Sequence, residues 1–190
     1  MSLTVYTVGH SNHSLEKFLG LLAANRIEVL VDVRSSPYSR YATWYNREPL
    51  KASLSQAGIK YIFLGDKLGG LPDGDEFYDE EHHVDYRRIA ASPAFAEGID
   101  RLMTGIPDYR IAVMCGEENP TDCHRNLLIG KVLADMDVEV VHIRGDGALE
   151  PRGDSRAPAQ LALGHEGEEA EWRSTRSVSP RNRPRSSSDS

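Results

Sequence analysis

Cysteine is nearly absent from this chain: 190 residues contain two, Cys115 and Cys123. A disulfide framework is therefore excluded, and with no secretory leader pattern at the start a reducing, cytoplasmic setting is expected. Tryptophan is equally sparse, and aromatics together make up 7% of the residues. The longest apolar runs are far too short to span a bilayer, so no membrane partner is expected. No internal repeat is visible, which excludes solenoids and propellers. Apolar residues are somewhat scarce at 39%, and the shortage falls at one end. Residues 1–145 alternate apolar segments with polar turns, whereas residues 146–190 are dominated by Gly, Pro, Arg, Glu and Ser.

A stretch of about 145 residues is long enough to fold without staples, so one domain over 1–145 followed by a disordered tail over 146–190 is expected. A short helix around Glu166 to Trp172 is conceivable in that tail. The formal charge is −7 overall; five arginines and one acid in Trp172 to Ser190 make that piece +4, leaving −11 on the rest. An acidic body argues against nucleic acid binding over its whole surface, while the arginine-rich tail keeps a nucleic acid partner open.

The periodicity gives β-α-β-α-β-α-β-α-β. Leu3 to Val8, Ile27 to Val33, Ile59 to Leu64, Arg110 to Met114 and Val138 to Ile143 read as strands. Ser14 caps a helix carrying Leu15, Phe18, Leu19 and Leu22. Asn46 caps a second, and Gly58 suits its far end. Ser92-Pro93 opens a third. Thr121 or Asp122 is the expected cap of a fourth, with Leu127, Leu128, Val132 and Leu133 as its stripe. Regular alternation implies an α/β fold of three layers, with a mainly parallel central sheet of about five strands. Gly65 to Val84 is a long acidic loop containing His82 and His83. A loop of that length is usually functional or disordered.

Ligands of parallel sheets bind outside the carboxyl ends of the strands, and three polar clusters fall there. Strand one delivers His10 and Ser11. Strand two delivers Asp32 and Arg34, followed by Ser39 and Arg40. Strand four delivers Cys115, Glu117, Glu118, Asp122, Cys123, His124 and Arg125. Arg34, Arg40 and Arg125 suit an anion, with Ser11, Ser39 and His124 as further ligand contacts. His10 or Glu117 suits proton transfer, and Asp32 suits orienting a partner. Cys115 is readable as a reactive thiol or as a small buried hydrophobe. Cys115, Cys123 and His124 are weak metal candidates, because C-x7-C-H matches no familiar zinc spacing. No motif calls for a cofactor. Tyr38, Tyr41, Trp44 and Tyr45 interleave with Arg34, Arg40 and Arg47, as in loops that stack on a base.

Four blocks carry a family resemblance: TVGHSNHSLEKFLGLL at 7–22, VLVDVRSSPYSRY at 29–41, GIKYIFLGDKLGGLP at 58–72 and AVMCGEENPTDCHRNLLI at 112–129. Together with Tyr86 and SPAFAEGIDRL at 92–102, they resemble the DUF488 family over about residues 3–143. The resemblance implies an α/β domain and one shared polar site built from the His10, Asp32-Arg34, Ser39-Arg40 and Cys115-to-Arg125 blocks; it implies no particular reaction. A more distant, topological likeness is to rhodanese-like domains, through VDVR at 31–34 and Cys115. Three readings follow: an enzyme acting on a small anionic or nucleotide-like ligand, a non-catalytic nucleotide or nucleic-acid binding module, and sulfur transfer through Cys115. A homodimer through a short edge strand is compatible with each.

Overall fold

The computed structural model describes residues 3–153 and 172–178. Its strands are β1 (Leu3–Gly9), β2 (Val29–Asp32), β3 (Lys60–Phe63), β4 (Ile111–Cys115), β5 (Val138–Ile143) and β6 (Leu149–Pro151). Its helices are α1 (Leu15–Ala24), α2 (Arg47–Gln56), α3 (Gly65–Leu68), α4 (Tyr86–Ala90), α5 (Pro93–Gly105) and α6 (Lys131–Asp135). The strands pair in the order β3-β2-β4-β1-β5-β6. The first five are parallel, and β6 runs antiparallel to β5.

Successive strand residues point to opposite faces, and each face has its own core. Val5, Val31, Val113 and Val140 meet α5 through Phe95, Ile99 and Leu102, and meet the chain before β5 through Leu128 and Leu133. Tyr6, Leu30, Ala112, Met114 and Val141 meet α1 through Phe18 and Leu22, and α2 through Leu50 and Leu54. This is why β4, at the centre of the sheet, is apolar and buried along its whole length: both faces are covered. The layers are those expected. Among the described residues no helix is long and apolar enough to cross a membrane.

The caps divide. Ser14 and Ser92 accept from the backbone N–H of Lys17 and Phe95, as anticipated. Asn46 stands at the start of α2, but its Oδ1 accepts from Ser39 N at 2.6 Å, so it ties down the preceding loop instead of the helix. The expected cap at Thr121 or Asp122 is replaced. Asn119 caps a 3-10 turn over Pro120–Asp122, and winding resumes as a π-helical turn, Arg125–Gly130, that runs into α6.

The sixth strand comes from residues expected to be tail. Leu149–Pro151 folds back along β5, and a second piece, 172–178, returns to the long acidic loop. Trp172 O accepts from Tyr86 N at 2.7 Å, and Ser174 N donates to Val84 O at 3.0 Å. Arg173 pairs with Asp79 at 2.6 Å and with Glu81. The remainder of the expected tail, including most of the Glu166 to Trp172 segment, lies outside the described residues.

Candidate functional site at the carboxyl edge of the sheet

Adjacency of β2, β4 and β1 brings their three polar ends together. Backbone bonds continue past the strands: His10 N donates to Cys115 O at 3.0 Å, Ser11 N to Gly116 O at 2.8 Å, and Val33 N to Met114 O at 3.1 Å. Gly9 permits this. A Cβ there would lie 1.8 Å from the carbonyl oxygen of Glu117.

Asp32 and Arg34 are two apart, so they share a face. Asp32 is fully buried, and Arg34 nearly so. Arg34 binds the carboxylate in bidentate fashion, Nε to Oδ1 at 2.9 Å and Nη2 to Oδ2 at 2.7 Å. The hydroxyl of Tyr61 donates to Oδ2 at 2.8 Å. Burial, then the Asp32 charge and hydrogen bond, push the Tyr61 hydroxyl far above its ordinary range. Arg34 Nη2 also donates to Tyr45 O, and its Nη1 lies 3.2 Å from His10 Nε2. His10 Nδ1 sits 2.8 Å from Ser11 O, a carbonyl that can only accept. The proton therefore sits on Nδ1, and Nε2 accepts from the arginine. Burial, then the Arg34 charge, lower the imidazole's pKa. His10, stacked on Tyr45 with centroids 4.2 Å apart, is a neutral brace on Arg34 with both nitrogens engaged.

The second cluster surrounds Glu117. Its Oε2 lies 2.9 Å from Cys115 Sγ and 3.3 Å from Cys123 Sγ. His124 Nδ1 lies 3.5 Å from the first sulfur and 3.9 Å from the second. His124 Nε2 is 3.1 Å from Val33 O, so its hydrogen is placed there and Nδ1 turns to the sulfurs. The hydrogen bond with Cys123, then burial, push the Cys115 thiol well up. Burial opposes a charge on Glu117, but hydrogen bonds led by that from Cys115 outweigh it and hold the carboxyl low. Burial likewise opposes a charge on Cys123 and on His124. The hydrogen bond with Cys115, then that with His124, lowers the Cys123 thiol to about 5, and the hydrogen bond with Cys123 raises the imidazole. A Cys123 thiolate cannot also donate to Glu117, so the proton between these groups has two alternative seats.

The remaining candidates separate. Arg125 is wholly buried and offers nothing to a ligand. Its Nη1 and Nη2 donate to the carbonyls of Glu117 and Glu118, and its Nε donates to Thr7 Oγ1 at 3.2 Å. Its anion-binding assignment is thereby corrected: a guanidinium committed to carbonyls is a strut for the loop. Glu118 faces away, paired with Arg144 at 2.9 Å. Ser11 adopts a left-handed conformation with φ 45° and forms the turn after β1. Ser39 Oγ accepts from the N–H groups of Tyr41 and Ala42 and shapes the following loop. Arg40 is exposed and lies outside the cavity lining.

These groups border a cavity of about 560 Å³. His10, Arg34, Tyr86, Cys115, Glu117 and His124 line it, as do Tyr38, Leu71 and residues 174–178. Cys123 is buried and is not part of the lining. Sequence reasoning singled out Tyr45 only as one ring of an aromatic loop, and it missed Tyr61, which no motif marks, and Gly70, whose bare Cα lets His124 approach; a Cβ there would lie 2.6 Å from the imidazole Cγ. Of the two sulfurs, that of Cys115 lines the cavity, and its thiol is the one pushed up.

Comparison with known proteins gives one finding. No curated protein and no solved structure matches the chain, and nothing adds to the rhodanese-like resemblance. A family model described as a domain of unknown function, DUF488, matches residues 14–132. The match takes in α1 through the π-helical turn, with the Asp32-Arg34 pair and the entire Cys115-to-Arg125 block. The chain belongs to the DUF488 family.

Proposed function

We propose that the protein is a small enzyme that binds an anionic or nucleotide-like molecule in this cavity and uses Glu117 as the proton acceptor. One observation carries the reading: the guanidinium of Arg34, paired with Asp32, and the carboxyl group of Glu117 line the same cavity from different strand ends. The cavity's size suits a small organic ligand. Arg176 adds a second positive charge at the lining, and Tyr38 an exposed ring. The Asp32 pair and the His10 brace fix Arg34 before a ligand arrives, which lowers the cost of ordering it on binding.

The test is a thermal-shift and calorimetric screen of the full chain against inorganic phosphate, nucleoside mono- and diphosphates and small carboxylates, followed by turnover assays on each binder. Glu117→Gln is expected to leave affinity within a few-fold and to lower turnover by about 100-fold or more. Arg176→Ala is expected to weaken binding. Unchanged turnover in the first variant and unchanged affinity in the second would remove the proposal.

A further inference from the structure

We infer that Cys115, Cys123 and His124 are the protein ligands of a zinc-type metal site whose fourth position opens into the cavity beside Glu117. The inference deepens the cavity reading and takes its catalytic role from it, but the metal can be tested alone.

The geometry is the first argument. Cys115 Sγ, Cys123 Sγ and a nitrogen of His124 lie within 4.8 Å of one another. The sulfur-to-nitrogen separations are 3.5 and 3.9 Å. Tetrahedral zinc, with its usual bonds to sulfur and nitrogen, places such atoms about 3.6 Å apart. All three side chains are buried. The donor set, two sulfurs and an imidazole, suits zinc over magnesium or calcium, which prefer oxygen.

The surroundings are the second argument. A ligating histidine usually gives its other N–H to a carbonyl or carboxylate, fixing the ring. His124 Nε2 does so with Val33 O at 3.1 Å, leaving the Nδ1 lone pair for a metal. Gly70 leaves room for this ring: a Cβ there would lie 2.8 Å from Nδ1. The chain's entire cysteine complement is brought to this one point, from a strand end and from the residue after a 3-10 turn. That origin explains why the spacing resembles no zinc knuckle.

The open side is the third argument. Structural zinc is enclosed by four protein ligands, whereas catalytic zinc keeps a position for water. Cys115, Glu117 and His124 line the cavity, and Cys123 is buried outside its lining. Glu117, which also lines the cavity, holds its Oε2 2.9 Å from the Cys115 sulfur and 3.3 Å from that of Cys123. A water bound there loses one proton to the Glu117 carboxylate. Its O–H bond breaks, the hydroxide stays on the metal, and no group is oxidised or reduced. The chemistry implied is hydrolysis of an electrophilic centre on a small polar ligand.

The experiment uses the full-length chain purified without chelator. Plasma mass spectrometry is expected to give about one zinc per chain. After metal removal under reducing conditions, a Co²⁺ titration of the wild type is expected to saturate at one equivalent, with a thiolate-to-cobalt charge-transfer band and strong tetrahedral visible bands. His124→Gln and Cys123→Ser should weaken metal binding by more than about 100-fold. Glu117→Gln should keep both metal and band. A wild-type titration without the charge-transfer band overturns the site whether or not the variants fold. Loss of metal from Glu117→Gln overturns the open fourth position. Metal-loaded protein that binds none of the screened anions keeps the site and removes the cavity function. Anion binding without the band does the reverse.

Discussion

At the scale of single residues, the site is a set of side chains whose hydrogen-bonding capacity is almost fully used before any ligand binds. Asp32 accepts from Arg34 N, Nε and Nη2 and from Tyr61. Removing its charge strands a guanidinium in a water-poor place. Asp32→Asn is expected to cost about 3–5 kcal/mol of stability, read from the urea midpoint at unchanged slope. The loss should exceed that of Lys67→Ala, whose ion pair with Glu97 is with a largely exposed partner. Gly70 gives a subtler test. A methyl group there meets His124 at 2.6–2.8 Å. Gly70→Ala is expected to turn the imidazole and weaken metal affinity by about 10–100-fold, the range for lost orientation. Equilibrium competition with a chromogenic chelator measures it.

At the scale of elements, the segment 172–178 is the part whose placement depends most on charge. Its Arg173 reaches two acids, Asp79 and Glu81, of the long loop, and Ser174 to Val178 border the cavity. Exposed ion pairs yield to salt. Arg173→Glu, or raised ionic strength, is expected to speed amide hydrogen exchange at Val84, Tyr86 and Val178, whose N–H groups are tied across this contact. Mass-spectrometric exchange at low and high salt checks it. The acidity of the loop and the basicity of the tail were both legible in the sequence; that they answer each other was not, because nothing local links residues nearly a hundred positions apart. The five parallel strands and the Ser14 and Ser92 caps were legible because their causes are local: burial on both faces and a hydroxyl at a helix start. β6 was not, since Leu149, Glu150 and Pro151 are exposed and only pairing with β5 makes them a strand. The π-helical turn was equally hidden. The apolar stripe marks which residues face the core, but not that Arg125 is drawn back to the carbonyls of Glu117 and Glu118.

At the scale of the molecule, one buried histidine makes stability depend on pH. His142 bonds Thr7 Oγ1 at 2.7 Å beneath the β1–β5 pair. Burial, then the Arg125 charge, lower its pKa from 6.5 to about 4. Between those values the unfolded chain binds a proton that the folded chain refuses, so this contribution falls as pH drops from 6.5 towards 4. His142→Gln keeps a hydrogen-bonding side chain without the titration and is expected to flatten the slope in that window, as urea midpoints at neutral and mildly acidic pH would show. The strand order has a further effect, on the timing of assembly. β1 lies between β4 and β5, pairing Tyr6 with Ala112 and Leu3 with Val138. Its neighbours are therefore among the last strands to leave the ribosome. Until then the first half of the chain can close only the β2–β3 pair. Long-range pairing of this kind folds slowly. The centre of the sheet and the cysteine-histidine cluster at its edge are thus completed together, after β4 and β5 emerge, and until then β1 must wait unpaired.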